Sequence, residues 1–461
     1  MKGRRLSWLL LLLLGGCATY QPLHLDRNAR APTWPGDIRI DPSVLRSFPP
    51  RRHRFAPDRG LDMTDVEILA VANNPQLKLA RDQRGIAHAQ AFAAGLLPDP
   101  VLDLAHGTPT AGPAETSSFD LGLVYDVGAL LTHPLAKRAA HASARQVDLS
   151  LLWMEWQVIG AARRFFVRDV IQAKMRSVLR EEVGVLAKQH AQLVAASGNG
   201  DVSQAAVATD LARLQVVEAR LHTTERQLLK TRLDLNALLG LSPRARLHLR
   251  GPTNVPVPDS ACLRRDLDAL PRLRPDLLAL QAGYRSAEAR YREEIVKQFP
   301  AFQVGFSRAR DADGVYTRGV QIALSLPIFN RNRGNVAIAK ATRKNLHDEY
   351  TARLLEARAQ VRRIVREQAL LVRQRAQLRQ ASAFTSRAID RVHAVVHPGD
   401  VSGIALARLR ANALDRKLAV LSIDENLREL NVALQLLLGR VDGRANARSK
   451  GRSGRPLARS R

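Results

Sequence analysis

Three places in the sequence bring together residue types that can do chemistry. The first is Leu14-Gly15-Gly16-Cys17, which follows a basic start (Lys2, Arg4, Arg5) and an apolar run from Leu6 to Leu14. That run is too short to span a bilayer as a mature helix, and its layout is that of an export signal. The four residues match the bacterial lipobox, in which the cysteine thiol takes a diacylglyceryl group and becomes the new N-terminus. An ordinary secretory signal with an incidental cysteine is the alternative. Ala18 follows instead of Asp, so lipid attachment at Cys17 points to the outer membrane. The second place is His393 and His397, whose i, i+4 spacing sets two imidazoles on one helix face. Pro398 ends that helix and only Asp400 offers a third ligand, so no metal site is expected. The third is Asp311-Ala-Asp313-Gly314, which lacks the remaining ligands of a calcium loop and reads as a hairpin turn. Nowhere is there a Gly-x-Ser-x-Gly, a His-Glu-x-x-His or a phosphate-binding glycine loop with lysine. The chemistry expected is therefore acylation of one cysteine, with no enzyme activity and no cofactor.

Composition points to the elements around these residues. The 461 residues are only 5% aromatic, and Ala, Leu, Arg and Gln dominate long stretches, which suits long helices. The net charge of +28 raises nucleic acid as a partner, but export would separate the chain from it. Arginine is mixed with Glu, Asp and Gln along the helices, as on solvated faces. The basic tail after Gly439, with Arg444, Arg448, Lys450 and Arg452 among Gly, Ser and Ala, cannot bury a core.

In chain order, residues 1–16 read as a signal peptide and 17–60 as an extended, Pro- and Arg-rich arm. Residues 61–243 form one unit: a helix interrupted at Pro75, strands at Val101 to His106 and Phe119 to Tyr125, and a helical run from about Pro134 to Ala196. At ~1.5 Å per residue that run would be on the order of 90 Å long. Gly198-Asn199-Gly200 breaks it, and the returning run carries Val207, Leu214, Leu221, Leu228 and Leu235 at every seventh position, a coiled-coil seam. After a connecting segment at 244–273, residues 274–440 repeat the pattern, and 441–461 are the tail. Pro75 answers to Pro275, Pro100 to Pro300, Asp103 to Gln303 and Gly240 to Gly439, about 200 residues apart each time. The seam recurs as Leu406, Ala413, Val420, Leu427 and Leu434. The chain is a tandem duplication.

Period 2 in the strands sorts their residues. Leu102, Leu104, Phe119, Leu121, Leu123 and Tyr125 share one face, as do Phe302, Val304, Phe306, Val320, Ile322 and Leu324. The other face carries Asp103, Asp120, Gln303 and Gln321. Carboxylates and amides there argue against a dry sandwich core and for a barrel wall with lipid outside and water inside. Four strands cannot close a barrel, and lipid tolerates no open edge, so more than one chain must share it.

The lipobox cysteine, the duplicated strand-pair and long-helix unit, and the run Leu324-Ser-Leu-Pro-Ile-Phe-Asn-Arg-Asn-Arg-Gly334 continuing into Ile338-Ala-Lys-Ala341 resemble the TolC-like outer-membrane efflux proteins, most of all their lipid-anchored members. The resemblance spans roughly Leu61 to Gly439 and is looser in the first unit, where Tyr125-Asp-Val-Gly stands for Leu326-Pro-Ile-Phe. It implies a mainly α fold with a membrane β-barrel: three chains share a twelve-stranded barrel that continues into a long α-helical periplasmic tunnel. The implied role is passive export of substrates delivered by an inner-membrane pump through a periplasmic adaptor protein. Under it, Asp103, Asp120, Gln303 and Gln321 line the lumen. The turns holding Asp201, Ser203, Asp400 and Ser402 form the periplasmic tip, where the adaptor binds. Arg387 and Arg391, one turn apart before the second tip, are candidates for closed-state contacts. Asp201, three residues before Gln204, also fits a plain helix cap. The competing reading is a lipid-anchored periplasmic coiled-coil scaffold that never crosses the membrane.

Overall fold

A computed structural model describes residues 20–38, 40, 55, 57–111, 116–255, 260–393 and 402–439. Cys17, His397, Asp400 and the basic tail lie outside the described residues. In chain order the first unit comprises α1 (Met63–Asn73), α2 (Pro75–Ala93), β1 (Val101–Gly107), β2 (Ser118–Asp126), α3 (Val127–Gly198) and α4 (Gln204–Leu238). The second comprises α5 (Ser260–Leu273), α6 (Pro275–Val296), β3 (Ala301–Arg310), β4 (Tyr316–Ser325), α7 (Arg333–His393) and α8 (Ser402–Leu437). The same six elements thus occur twice, in the same order. Helix α5 falls in the segment expected at 244–273 to connect the units, and it stands to α6 as α1 stands to α2.

Local chemistry accounts for the breaks. Asp62 caps α1 in a capping box: its carboxylate accepts from the Asp65 N–H, and the Asp65 side chain accepts from the Asp62 N–H. Proline lacks an N–H and suits the first helical position, so Pro75 and Pro275 each open a new helix where the preceding one stops. Helix α3 has 72 residues, roughly 110 Å at ~1.5 Å per residue. It starts at Val127, earlier than the run expected from Pro134, because the Asp126 carboxylate accepts from the Ala129 N–H and caps it there. Pro134 therefore lies inside the helix.

Helix α3 is the axis of the fold, with α1, α2, α4, α6 and α8 packed along it, while α7 lies against α6 and α8. The α4 seam is present: Leu214, Leu228 and Leu235 are buried, as are Asp210, Val217, Thr224 and Thr231, three residues after the first four seam positions. One core, around Phe166, Leu69, Leu77 and Leu239, ties α1, α2, α3 and α4 to the segment after α4. There Leu61 pairs with Leu249 in a parallel bridge, and the Ser242 N–H donates to Pro32 of the N-terminal arm. A second core, around Leu270, Leu277, Val361 and Leu434, does the same work for the second unit. Among the described residues no helix is long and apolar enough to cross a membrane.

Candidate functional site

The four strands form one antiparallel sheet in the order β1-β2-β3-β4. The two hairpins expected separately are joined because β2 pairs with β3, Gly122 opposite Ser307 and Asp120 opposite Ala309. Residues opposite one another share a face. Asp103 faces Gly122, Ala105 faces Asp120, Gln303 faces Ala323 and Gly305 faces Gln321. Followed across all four strands, this register puts Asp103, Asp120, Gln303 and Gln321 on one face with Val101, Val124, Asp126 and otherwise Gly, Ala, Ser and Thr neighbours. Leu102, Leu104, Leu121, Leu123, Phe306, Val320, Ile322 and Leu324 stand on the other face and are exposed. Both outer strands, β1 and β4, end the sheet unpaired, and every β4 residue is exposed.

The sheet meets the helices at two corners. In the first, Asp126 ends β2 and caps α3 at once, and Gly128 lets the backbone pass Ala301, whose Cβ would lie 2.9 Å from a side chain there. In the second, Leu326 to Asn332 intervene before α7, and Arg331 and Asn332 adopt left-handed φ of 47° and 51°. Asparagine tolerates that region better than most residues. The Asn332 amide donates to the Glu294 carbonyl and carboxylate, and Gln298 donates to the Arg331 carbonyl, so the corner is tied to the end of α6. These ties are long-range, and no periodicity points to Asn332.

At the opposite end of the sheet the two hairpin loops touch: the Thr116 N–H and hydroxyl both donate to the Ala312 carbonyl. Asp311 accepts from the Asp313 and Val315 N–H groups, and Gly314 takes a φ of +85°. The Asp311 carboxylate is thus engaged in shaping a turn. Among the described residues no group of three or more His, Cys, Asp and Glu is placed to hold a metal.

At the far end of the long helices, Gly200 adopts φ +82° and the Asp201 N–H donates back to the Ala196 carbonyl, closing a Schellman motif. The cap of α4 is Ser203, whose hydroxyl accepts from the Ala206 N–H. Asp201 is not that cap, because the chain has already turned through Gly200. Its side chain is exposed. Arg387 and Arg391 are exposed on α7, and Arg387 donates to the Ala383 carbonyl of its own helix. Ser402 opens α8, with its side chain outside the described part.

Two carboxyls in the helical part, Glu182 buried and Glu425 half-buried, were not legible from spacing. Glu182 on α3 is fully buried, and among the described residues neither of its oxygens has a hydrogen-bond partner. Burial, with the Asp415 carboxylate nearby, pushes its pKa up to about 7, against the pull of Arg213 and Arg220. Glu425 on α8 is likewise raised to about 7 by burial and by Glu429, against Arg168 and a hydrogen bond from Gln172.

Residues 268–440 match the family described as outer membrane efflux protein. No curated protein sequence matches the chain. Among solved structures, the outer membrane protein VceC of Vibrio cholerae is similar at 16% identity and TM-score 0.66, over 82% of this chain and 96% of VceC. The CmeC outer membrane channel of Campylobacter jejuni is similar at 15% identity and TM-score 0.67, over 95% of this chain and 98% of CmeC. The open MtrE outer membrane channel of Neisseria gonorrhoeae is similar at 15% identity and TM-score 0.66, over 92% and 98%. With a sheet of two faces and two long helical hairpins, the chain has the fold of these outer membrane channels, and its residues 268–440 match the outer membrane efflux protein family.

Proposed function

We propose that the chain is one subunit of a lipid-anchored outer-membrane export duct, the passive exit of a tripartite efflux or type I secretion-like system. The observation that carries this reading is the sheet. It has a polar face and an apolar face in register over four strands, two unpaired edges, and long helices leaving one end. Exposed edges and an exposed apolar face are unfavourable in water, and other copies and lipid would cover both. Three copies would supply twelve strands and close the barrel. Asp103, Asp120, Gln303 and Gln321 then line its water-filled lumen, and Cys17 carries the lipid. The turns with Asp201, Ser203, Asp400 and Ser402 then form the periplasmic tip that meets the adaptor and, through it, the inner-membrane pump. Arg387 and Arg391 hold closed-state contacts at that tip.

Purified full-length protein added to a planar bilayer should give stepwise conductance, and it should migrate faster on a gel unheated than boiled. Arg391→Ala should raise the open fraction. A protein with no conductance that migrates the same unheated and boiled would be the lipid-anchored periplasmic scaffold instead.

A further inference from the structure

We infer that Arg308 and Arg318 bind the headgroup phosphate of an anionic membrane lipid, with an acyl chain lying along the apolar face of the sheet. The inference rests on the sheet being a membrane wall. Arg308 and Arg318 are directly opposite one another on β3 and β4. Like charges opposite one another across an antiparallel pair repel, and the pair needs an anion to hold it. Both side chains are exposed, and among the described residues no carboxylate pairs with either. Their neighbour Arg310 differs: its guanidinium donates twice to the Ser117 carbonyl, at 2.7 and 3.1 Å, so it is already engaged.

The register places all three arginines on the apolar face, as the continuation of Phe302, Val304 and Phe306 on β3 and of Leu324, Ile322 and Val320 on β4. They stand at the end remote from the helices. From Phe302 to Arg308 is roughly 20 Å at ~3.4 Å per residue. In a barrel wall with strands tilted ~40° that is about 15 Å of height, and aromatic residues flank the apolar band, so arginines among aromatic rings fall at its edge. Phe119 and Tyr316 flank them there in an edge-to-face pair with ring centres 6.2 Å apart, and the Arg308 guanidinium lies over the Tyr316 ring at 5.9 Å. A groove of about 600 Å³ begins between Arg308 and Arg318 and runs on over Leu121, Leu123, Phe306 and Val320. A forked cationic end and an apolar floor fit a phosphate with a hydrocarbon chain attached.

Full-length protein in detergent, titrated with dioleoyl phosphatidylglycerol and read by native mass spectrometry, should retain that lipid about tenfold more tightly than dioleoyl phosphatidylcholine. The double variant Arg308→Gln/Arg318→Gln should lose this preference, Arg318→Gln alone should lose part of it, and Arg387→Gln, far from the sheet, should keep it. Inorganic phosphate in millimolar excess should not compete, because it lacks the chain. Equal retention of both lipids by the unaltered protein, or a preference untouched by the double variant, overturns the inference. Conductance in a planar bilayer separates the two readings. Protein that conducts without a phosphatidylglycerol preference loses only this inference, whereas protein that neither conducts nor shows the preference loses the membrane wall and this site together.

Discussion

The two units of the chain reach the same geometry by different local means. Where α1 breaks into α2, the Asn73 and Asn74 amides donate to the Leu239, Gly240 and Leu238 carbonyls at the end of α4. Where α5 breaks into α6, buried Arg274 holds Asp276 and lies over Trp153 at 4.9 Å. The glycines that end the returning helices differ in the same way. A Cβ on Gly240 would meet the Asn73 carbonyl oxygen at 2.6 Å, whereas on Gly439 its nearest neighbour is Leu273 Cβ at 3.4 Å. Both are left-handed, at φ +64° and +71°. The first corner is capped by one residue, and the second is a longer turn with two left-handed residues. Duplication preserved where the chain turns, and each copy then acquired its own bonds to hold the turn.

That difference can be broken experimentally, and the largest effect is expected at the glycines. Gly240→Ala adds a backbone clash to left-handed strain and should cost roughly 3 kcal/mol, while Gly439→Ala should cost roughly 1 kcal/mol from strain alone. Thermal unfolding of the two variants side by side reads the gap, and equal shifts would show that the Asn73 contact relaxes freely.

Next come the two carboxyls whose pKa is raised, one from each unit. A carboxyl whose pKa is raised by folding binds its proton more tightly in the fold than in the unfolded chain. Its contribution is intact below about pH 4.5 and is lost as pH rises to about 7. Glu182→Gln should therefore stabilise the protein by on the order of 2 kcal/mol at pH 8 and by little at pH 5. Glu425→Gln should gain less, because Arg168 and Gln172 already face that carboxylate. Melting curves from pH 5 to 8 test this, and a flat profile for Glu182→Gln would mean that water reaches the site.

The smallest effect is at the corners. Asp126→Ala should cost about 1 kcal/mol, the usual loss of a helix cap. Asn332→Ala, which removes two hydrogen bonds to Glu294 at a left-handed position, should cost about 1–2 kcal/mol. Hydrogen exchange at the starts of α3 and α7 would show which corner opens first.

Much of the fold was legible because its signals are local. Strand alternation, seven-residue seams, helix-breaking prolines and left-handed glycines depend on nearest neighbours in the chain, and all recur about 200 residues apart. The polar face with Asp103, Asp120, Gln303 and Gln321 followed from period 2 alone. The helix start at Pro134 was misplaced because proline marks a permitted start, while the start itself is decided by whichever capping side chain is in place, here Asp126. The arginines at 308 and 318 interrupt the apolar alternation and so were visible as residues. Their opposition was not, since register between strands is a property of the pair.

The sequence by itself determined the element types, their order, the duplication and the two faces of every strand, because sterics and periodicity act over a few residues. Only the tertiary structure decided that β2 pairs with β3 to make one sheet, that α3 is the axis on which the other helices pack, that Asn73 and Arg274 do equivalent work, and that Glu182 is left without a hydrogen-bond partner among the described residues. Each of those joins residues far apart in the chain, and such contacts form only when the packing of whole elements outweighs the entropy of bringing them together.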